Sequence, residues 1–222
     1  MKGLFFLLGT FLLVSCAVLP AIHEPSSERA GKSITCPSPF LLEKTRLIHA
    51  IEVRMAGKPK TALIGVTLVD PVSRTFSCAM MSTEGMVLFE ASSGSDGVKV
   101  VRALPPFDTT AFANNMMDDI ELIFLTPVGL LTRKGVFTEG ETVCRRHKEQ
   151  GGWVDVLAGR DGHIQIRRYS EFGALQRTVK LDGNARNAYA VIELQAIDFV
   201  NYTLIMTLIE SEVVGDIPAA QK

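Results

Sequence analysis

The residues able to do bond chemistry are few, and their spacing works against catalysis. Of the four histidines, His23 sits in a proline-rich stretch, His147 in a charged run beside Arg145, Arg146 and Lys148, and His163 just after a turn. No two of them fall at a metal-ligand spacing. His49 lies on an apolar strand face and reads as a core histidine with satisfied ring nitrogens. Asp118 and Asp119 are adjacent on a helical stretch, so their side chains leave in different directions and read as a solvated face, not as a paired acid and base. Cys144-Arg145-Arg146-His147 lacks the second cysteine of a haem-attachment motif. There is no Gly-x-Ser-x-Gly elbow, and Gly31-Lys32-Ser33 has Ser26 where a phosphate loop needs its first glycine. The sequence is read as a non-enzyme without a metal or cofactor site.

One thiol is placed for a different reaction. After Lys2, the run from Gly3 to Val14 has no ionisable group, and it is shorter than the ~20 apolar residues that span a bilayer. It reads as an export signal over 1–15. Leu13-Val14-Ser15-Cys16 resembles the lipobox of bacterial lipoproteins, in which the cysteine is acylated and becomes the first residue of the mature chain. Two or more acyl chains anchor a protein stably, at ~0.8 kcal/mol per buried methylene. The resemblance implies lipid attachment at Cys16, and Ala17, in place of an aspartate, favours the periplasmic face of the outer membrane.

Loss of residues 1–15 leaves 22 of the 23 basic residues against 24 acidic ones, so no basic field remains for nucleic acid. A mature chain of ~205 residues can bury one sizeable core. In an oxidising compartment at most one pair among Cys36, Cys78 and Cys144 can close, which leaves three pairings open. Cys78 lies in the strand-like run Thr75 to Met80 and reads first as a buried, inert thiol.

The elements that must position these residues follow from periodicity. Residues 16–39 contain Pro20, Pro25, Pro37, Pro39 and Gly31 without apolar rhythm, the composition of a lipidated, flexible tether. From Phe40 onward, Leu47 to Met55, Thr61 to Val69, Arg74 to Met81, Met86 to Ala91 and Val98 to Leu104 read as a five-strand meander punctuated by Gly, Pro, Asp and Ser turns. Phe112, Met116, Ile120 and Ile123 or Phe124 then recur at helical spacing up to Pro127. Asp108 fits the N-cap, with Phe107 and Phe112 as a hydrophobic staple. Val128 to Gln150 is ambiguous, with Val136-Phe137 and Thr142 to Arg146 suited to a short strand pair. Trp153 to Leu157, His163 to Tyr169, Ala174 to Leu181, Ala188 to Ala196 and Tyr202 to Glu210 resume the meander. Alternation from Leu175 to Leu181 is broken only at Arg177.

The fold expected is mainly β (α+β). It is a strongly curved antiparallel sheet of about 10–11 strands forming a half-open barrel over residues 40–212, its concave face covered by helix, with a C-terminal tail at 213–222. Spaced short strands also suit a two-sheet sandwich.

This order of parts resembles the family of periplasmic lipoprotein carriers and their outer-membrane receptor, the LolA and LolB group, with related bacterial lipoproteins. The resemblance rests on the lipobox, on Phe76 to Phe89 as strand, glycine turn and strand, on the strand Val98 to Leu104, and on the helix after it. It covers residues 40 to 210 in outline. It implies an apolar cavity for a hydrophobic acyl ligand or lipoprotein cargo, with Met80, Met81, Met86, Phe89, Phe112, Met116, Phe124 and Met206 as candidate lining residues, and Met117 beside them. The same residues equally suit a filled core, the arrangement of a structural or assembly lipoprotein that binds a protein partner. One departure stands out. Where the receptor of the family carries an exposed leucine at a turn tip, this chain has Ser82-Thr83-Glu84-Gly85.

Overall fold

The computed structural model describes residues 19–24, 34–185, 188–197 and 201–215; the export signal and Cys16 lie outside them. Twelve strands and one helix follow one another as β1 (Thr45–Met55), β2 (Thr61–Asp70), β3 (Thr75–Ser82), β4 (Val87–Gly94), β5 (Gly97–Ala103), α1 (Thr110–Phe124), β6 (Leu130–Val136), β7 (Thr142–His147), β8 (Trp153–Ala158), β9 (Ile164–Tyr169), β10 (Leu175–Ala185), β11 (Ala188–Ala196) and β12 (Tyr202–Val213). All twelve belong to one antiparallel sheet in the order β5-β4-β3-β2-β1-β12-β11-β10-β9-β8-β7-β6.

That order is two meanders joined at a seam. The chain begins in the middle at β1, walks outward to β5, and crosses through α1 to β6 at the opposite edge. From β6 it walks back until β12 pairs with β1 from Thr45↔Val213 to Met55↔Tyr202. The sheet is open, with β5 and β6 as its edges. A single sheet replaces the sandwich alternative, and twelve strands replace ten or eleven. The ambiguous stretch supplies β6 and β7. Their pattern was hard to read because Leu130 to Lys134 are all exposed, so β6 shows no alternation.

Side-chain alternation sorts the sheet into two faces. In β2, Leu63, Gly65, Thr67 and Val69 are buried while the residues between them are half-buried. Buried residues of β1 to β4 and of β8 to β12 form one core cluster with Ala113, Met117, Ile120, Leu122, Ile123 and Phe124 of α1. A second, small cluster joins Phe137, Val143 and Leu157 to Ile22. The same face of β7 and β8 carries a buried ion pair, Arg145 to Asp155, with both bonds at 2.7 Å.

Ile22 belongs to the stretch expected as a tether, and two points of that stretch are fixed to the sheet. His23 and Val136 exchange backbone hydrogen bonds of 2.9 Å on the free side of β6. Gly135 makes this approach fit, because a Cβ there would collide with the His23 carbonyl and the Ile22 side chain. Cys36 is disulfide-bonded to Cys144, with a Cα separation of 5.7 Å. Cys144 neighbours Val143, so its side chain leaves the opposite face of β7. Ile22 and Cys36 therefore lie against opposite faces of the sheet.

The bridge joins residues 108 apart, and a cross-link over that span removes roughly 4–5 kcal/mol of unfolded-chain entropy. Cys36→Ser is expected to lower the thermal midpoint by at least ~8 °C, read by circular dichroism. Reductant should bring the natural chain down to the same midpoint and leave the variant where it is. A midpoint unmoved by reductant would contradict the bridge.

Candidate functional site between helix and sheet

The helix begins one residue later than its sequence indicates. Thr109, in extended backbone, is the N-cap, and its hydroxyl accepts from the Phe112 N–H at 3.2 Å. Asp108 and Thr109 both carry a capping oxygen, and the residue next to the first helical turn takes the role. The aromatic contact survives the shift, with the Phe107 and Phe112 rings 5.1 Å apart. At the other end Leu125 returns to extended backbone, its N–H still bonded to the Glu121 carbonyl.

From this one element, side chains reach strands on both sides of the seam. Phe112 meets Phe89 of β4 edge to face at 5.1 Å, and Met116 Sδ lies 3.8 Å from Cys78 Sγ of β3. The Phe124 ring is 6.1 Å from the His49 ring of β1. Asp118 accepts from Arg168 of β9 at 3.2 Å, and Glu121 from Arg74, ahead of β3, at 2.6 Å.

The strongest tie is buried. Asp119 Oδ1 accepts from Arg177 Nε of β10 at 2.9 Å, Oδ2 accepts from the Tyr202 hydroxyl of β12, and the guanidinium stands 5.7 Å over the Tyr202 ring. Arg177 is wholly buried and Asp119 nearly so. Burial raises the Asp119 carboxyl above its ordinary range, and the Arg177 charge and the Tyr202 hydroxyl pull it partly back. Breaking such a pair costs about 3–5 kcal/mol, because the surviving charge stays buried.

Reading Asp118-Asp119 as a solvated face missed this group. Asp118 is exposed, whereas Asp119 is buried. Two signals were present in the sequence: Asp119 lies seven residues after Phe112, hence on the same stripe, and Arg177 interrupts an otherwise alternating strand.

Four of the candidate lining residues, Met80, Phe89, Phe124 and Met206, are buried in the main core cluster, and Phe112 and Met116 pack against it. Met117 is buried there too. Met81 is half-buried and follows Met80 across the pleat, and Met86 is exposed after the β3–β4 turn. Cys78 is a free, buried thiol that burial pushes up to about 12, so it stays protonated at neutral pH and behaves as a small apolar group. A gap beside the helix, between Asp118, Leu125, Val128, Lys148 and Arg168, has a volume of about 20 Å³, room for roughly one water. A larger, open concavity of about 410 Å³ has a mixed lining, with Leu68 and Phe76 beside Asp70, Ser77, Asp96 and Lys99.

His49 is in the core as expected, but neither ring nitrogen has a partner among the described residues. Burial lowers its pKa to about 4. The folded histidine therefore stays neutral where the unfolded one, near 6.5, takes up a proton. Its contribution to stability is whole above pH 6.5 and is lost as pH falls through about 4, by about 3 kcal/mol at the limit. Urea midpoints of the natural chain and of His49→Leu, taken at pH 7.5 and 4.5, should show the decline at low pH much reduced in the variant. Equal declines would mean that His49 is not the group responsible.

No family model and no curated protein matches the sequence. Among solved structures, a LolA superfamily protein from Nitrosomonas europaea superposes with a TM-score of 0.56 at 10% identity, covering 79% of this chain and 88% of that one. A putative outer membrane lipoprotein-sorting protein domain from Vibrio parahaemolyticus gives a TM-score of 0.43 at 10% identity, with 81% and 87% covered. A DUF1329 family protein from Desulfovibrio piger gives 0.41 at 10% identity, with 80% and 88% covered. At these identities the likeness is one of fold, and the fold of this chain is LolA-like.

Proposed function

We propose that this chain is a lipid-anchored protein of the bacterial envelope that holds a hydrophobic cargo between α1 and the inner face of a curled sheet. The cargo is an acyl chain of a lipoprotein, a lipid or a lipid-like product. The protein acts by binding and not by catalysis, and Cys16 moors it to the periplasmic face of the outer membrane.

Curling follows from the reach of the helix. Phe112 touches β4 and Asp118 binds β9, strands seven spacings apart and therefore ~34 Å apart in a flat sheet. The two residues are only ~9 Å apart along the helix axis. A ring contact at one end and an Arg–Asp pair at the other cannot bridge that difference unless the sheet bends around α1. The bend supports a half-barrel with the helix on its concave side.

The observation that carries the reading is the chemistry of this interface. Cys78, Met80, Met116, Met117 and Met206 meet Phe89, Phe112 and Phe124 there, a soft, sulfur-rich and aromatic lining that adapts its shape without hydrogen-bond demands. The fold likeness to the LolA superfamily protein agrees with it. The buried Asp119–Arg177–Tyr202 group favours a second reading, in which the helix is locked over a filled interior and the molecule is an assembly lipoprotein.

Native mass spectrometry of the full chain, extracted in mild detergent, should show a bound species with the mass of a fatty acid or phospholipid. A bare protein at every detergent level would leave the assembly reading in its place. Independently, labelled palmitate should be incorporated into the natural chain and be absent from Cys16→Ser. Label that persists undiminished in the variant would end the case for the anchor at Cys16.

A further inference from the structure

We propose that His49 holds the carboxyl group of the cargo, and that the cargo is a free long-chain fatty acid lying across β1 to β5 beneath α1. The inference rests on the cargo-binding reading above and adds to it the head group and the residue that receives it.

The first argument is an unmet hydrogen-bonding demand. The buried arginines and aspartates are matched, Arg145 by Asp155 and Arg177 by Asp119. His49 is fully buried, and its ring, 6.1 Å from the Phe124 ring of α1, points into the interface between helix and sheet. Neither ring nitrogen has a partner among the described residues. A polar group buried in this way weakens the fold, and an apolar side chain of the same shape would serve packing better. A ligand that supplies the missing partner recovers the loss when it binds, which makes the ring a recognition element.

The second argument is what surrounds the ring. Strand pairing sets His49, Gly65, Met80, Phe89 and Ala103 in one row across β1, β2, β3, β4 and β5. The imidazole thus shares its row with two of the soft lining residues, and from His49 to the edge strand the row crosses four strand spacings, ~19 Å. That is the reach of a long alkyl chain. Gly65 presents no side chain beside the ring. The δ-methyl of Ile51 fills the space instead, 2.6 Å from where a Cβ at Gly65 would stand. The tip of a flexible side chain, and not backbone, therefore occupies the place that a carboxyl group needs.

The third argument is charge. The buried polar side chains of β1 to β4, among the described residues, are Thr45, His49 and Thr67, none of which carries a fixed charge. A phosphate head group would enter with a charge that nothing there balances. A carboxylic acid and a neutral imidazole make a pair without net charge, whichever of the two holds the acid proton. An ester has no such proton and can only accept from the ring N–H, the weaker bond.

The test is a competition on the acylated full chain in mild detergent, given equal amounts of palmitic acid and its methyl ester. Native mass spectrometry separates the two complexes, which differ by one methylene. The ratio of acid to ester complex should fall on the order of tenfold from the natural chain to His49→Leu. His49→Gln, which keeps a donor and an acceptor at the same place, should keep part of the preference. A natural chain that takes both probes equally, or a preference that survives whole in His49→Leu, overturns the role of His49 and leaves the cargo site standing. A natural chain that takes neither probe overturns both.

Discussion

A carboxylate buried between Arg177 and Tyr202 decides how the rest of this molecule is arranged. Its chain builds two meanders that share only the β1–β12 seam, and it passes from the outer edge of one to the outer edge of the other through α1. Such a connection has to lie across a face of the sheet, and its rotation decides which side chains are buried. An apolar stripe alone tolerates a slip of a few tens of degrees, since hydrophobic contact has no direction. The Arg177–Asp119 pair and the Tyr202 hydroxyl do have direction, so they admit one rotation. Buried pairs of this kind add little net stability over an apolar replacement. What they supply here is register between the helix and the second meander, while Phe112 and Met116 pack on the first.

The polar fastening and the soft lining divide the interface between them. Asp119 touches β10 and β12; the sulfur and aromatic contacts of Met116 and Phe112 lie toward β3 and β4. A helix held firmly along one side and packed by methionine, cysteine and phenylalanine along the other can give way on the soft side without losing its place. On the cargo-binding reading proposed above, this asymmetry reconciles a core that is filled at rest with entry of an acyl chain, which would lodge against the first meander.

Much of this architecture could be read from the residue pattern. Alternation between apolar and polar residues, with glycine and aspartate turns, located every strand except β6, and heptad-like spacing located α1 to within one residue of its cap. What escaped the pattern did so for physical reasons. A strand exposed on both faces, such as Leu130 to Lys134, has no period to detect. A charged residue at a buried helical position looks like surface until its partner is found, and Arg177 is 58 residues from Asp119. The docking of Ile22 and His23 on β6 depends on a missing Cβ at Gly135, more than a hundred residues away. His49 shows the converse, since its burial was legible from its neighbours while the lack of partners for its ring nitrogens was not.

The cysteines link these levels. Among the described residues there are three cysteines, of which Cys36 and Cys144 are joined and Cys78 is not. Burial beneath the helix, against Met116, keeps the Cys78 thiol protonated and out of reach of exchange. A pairing of Cys78 with either of the others would tie the soft lining to β7 or to the N-terminal segment and so fix that side of the helix. The pairing adopted fastens the segment around Cys36 to β7. The disulfide therefore stiffens the β7 end of the sheet and leaves the lining free to adapt.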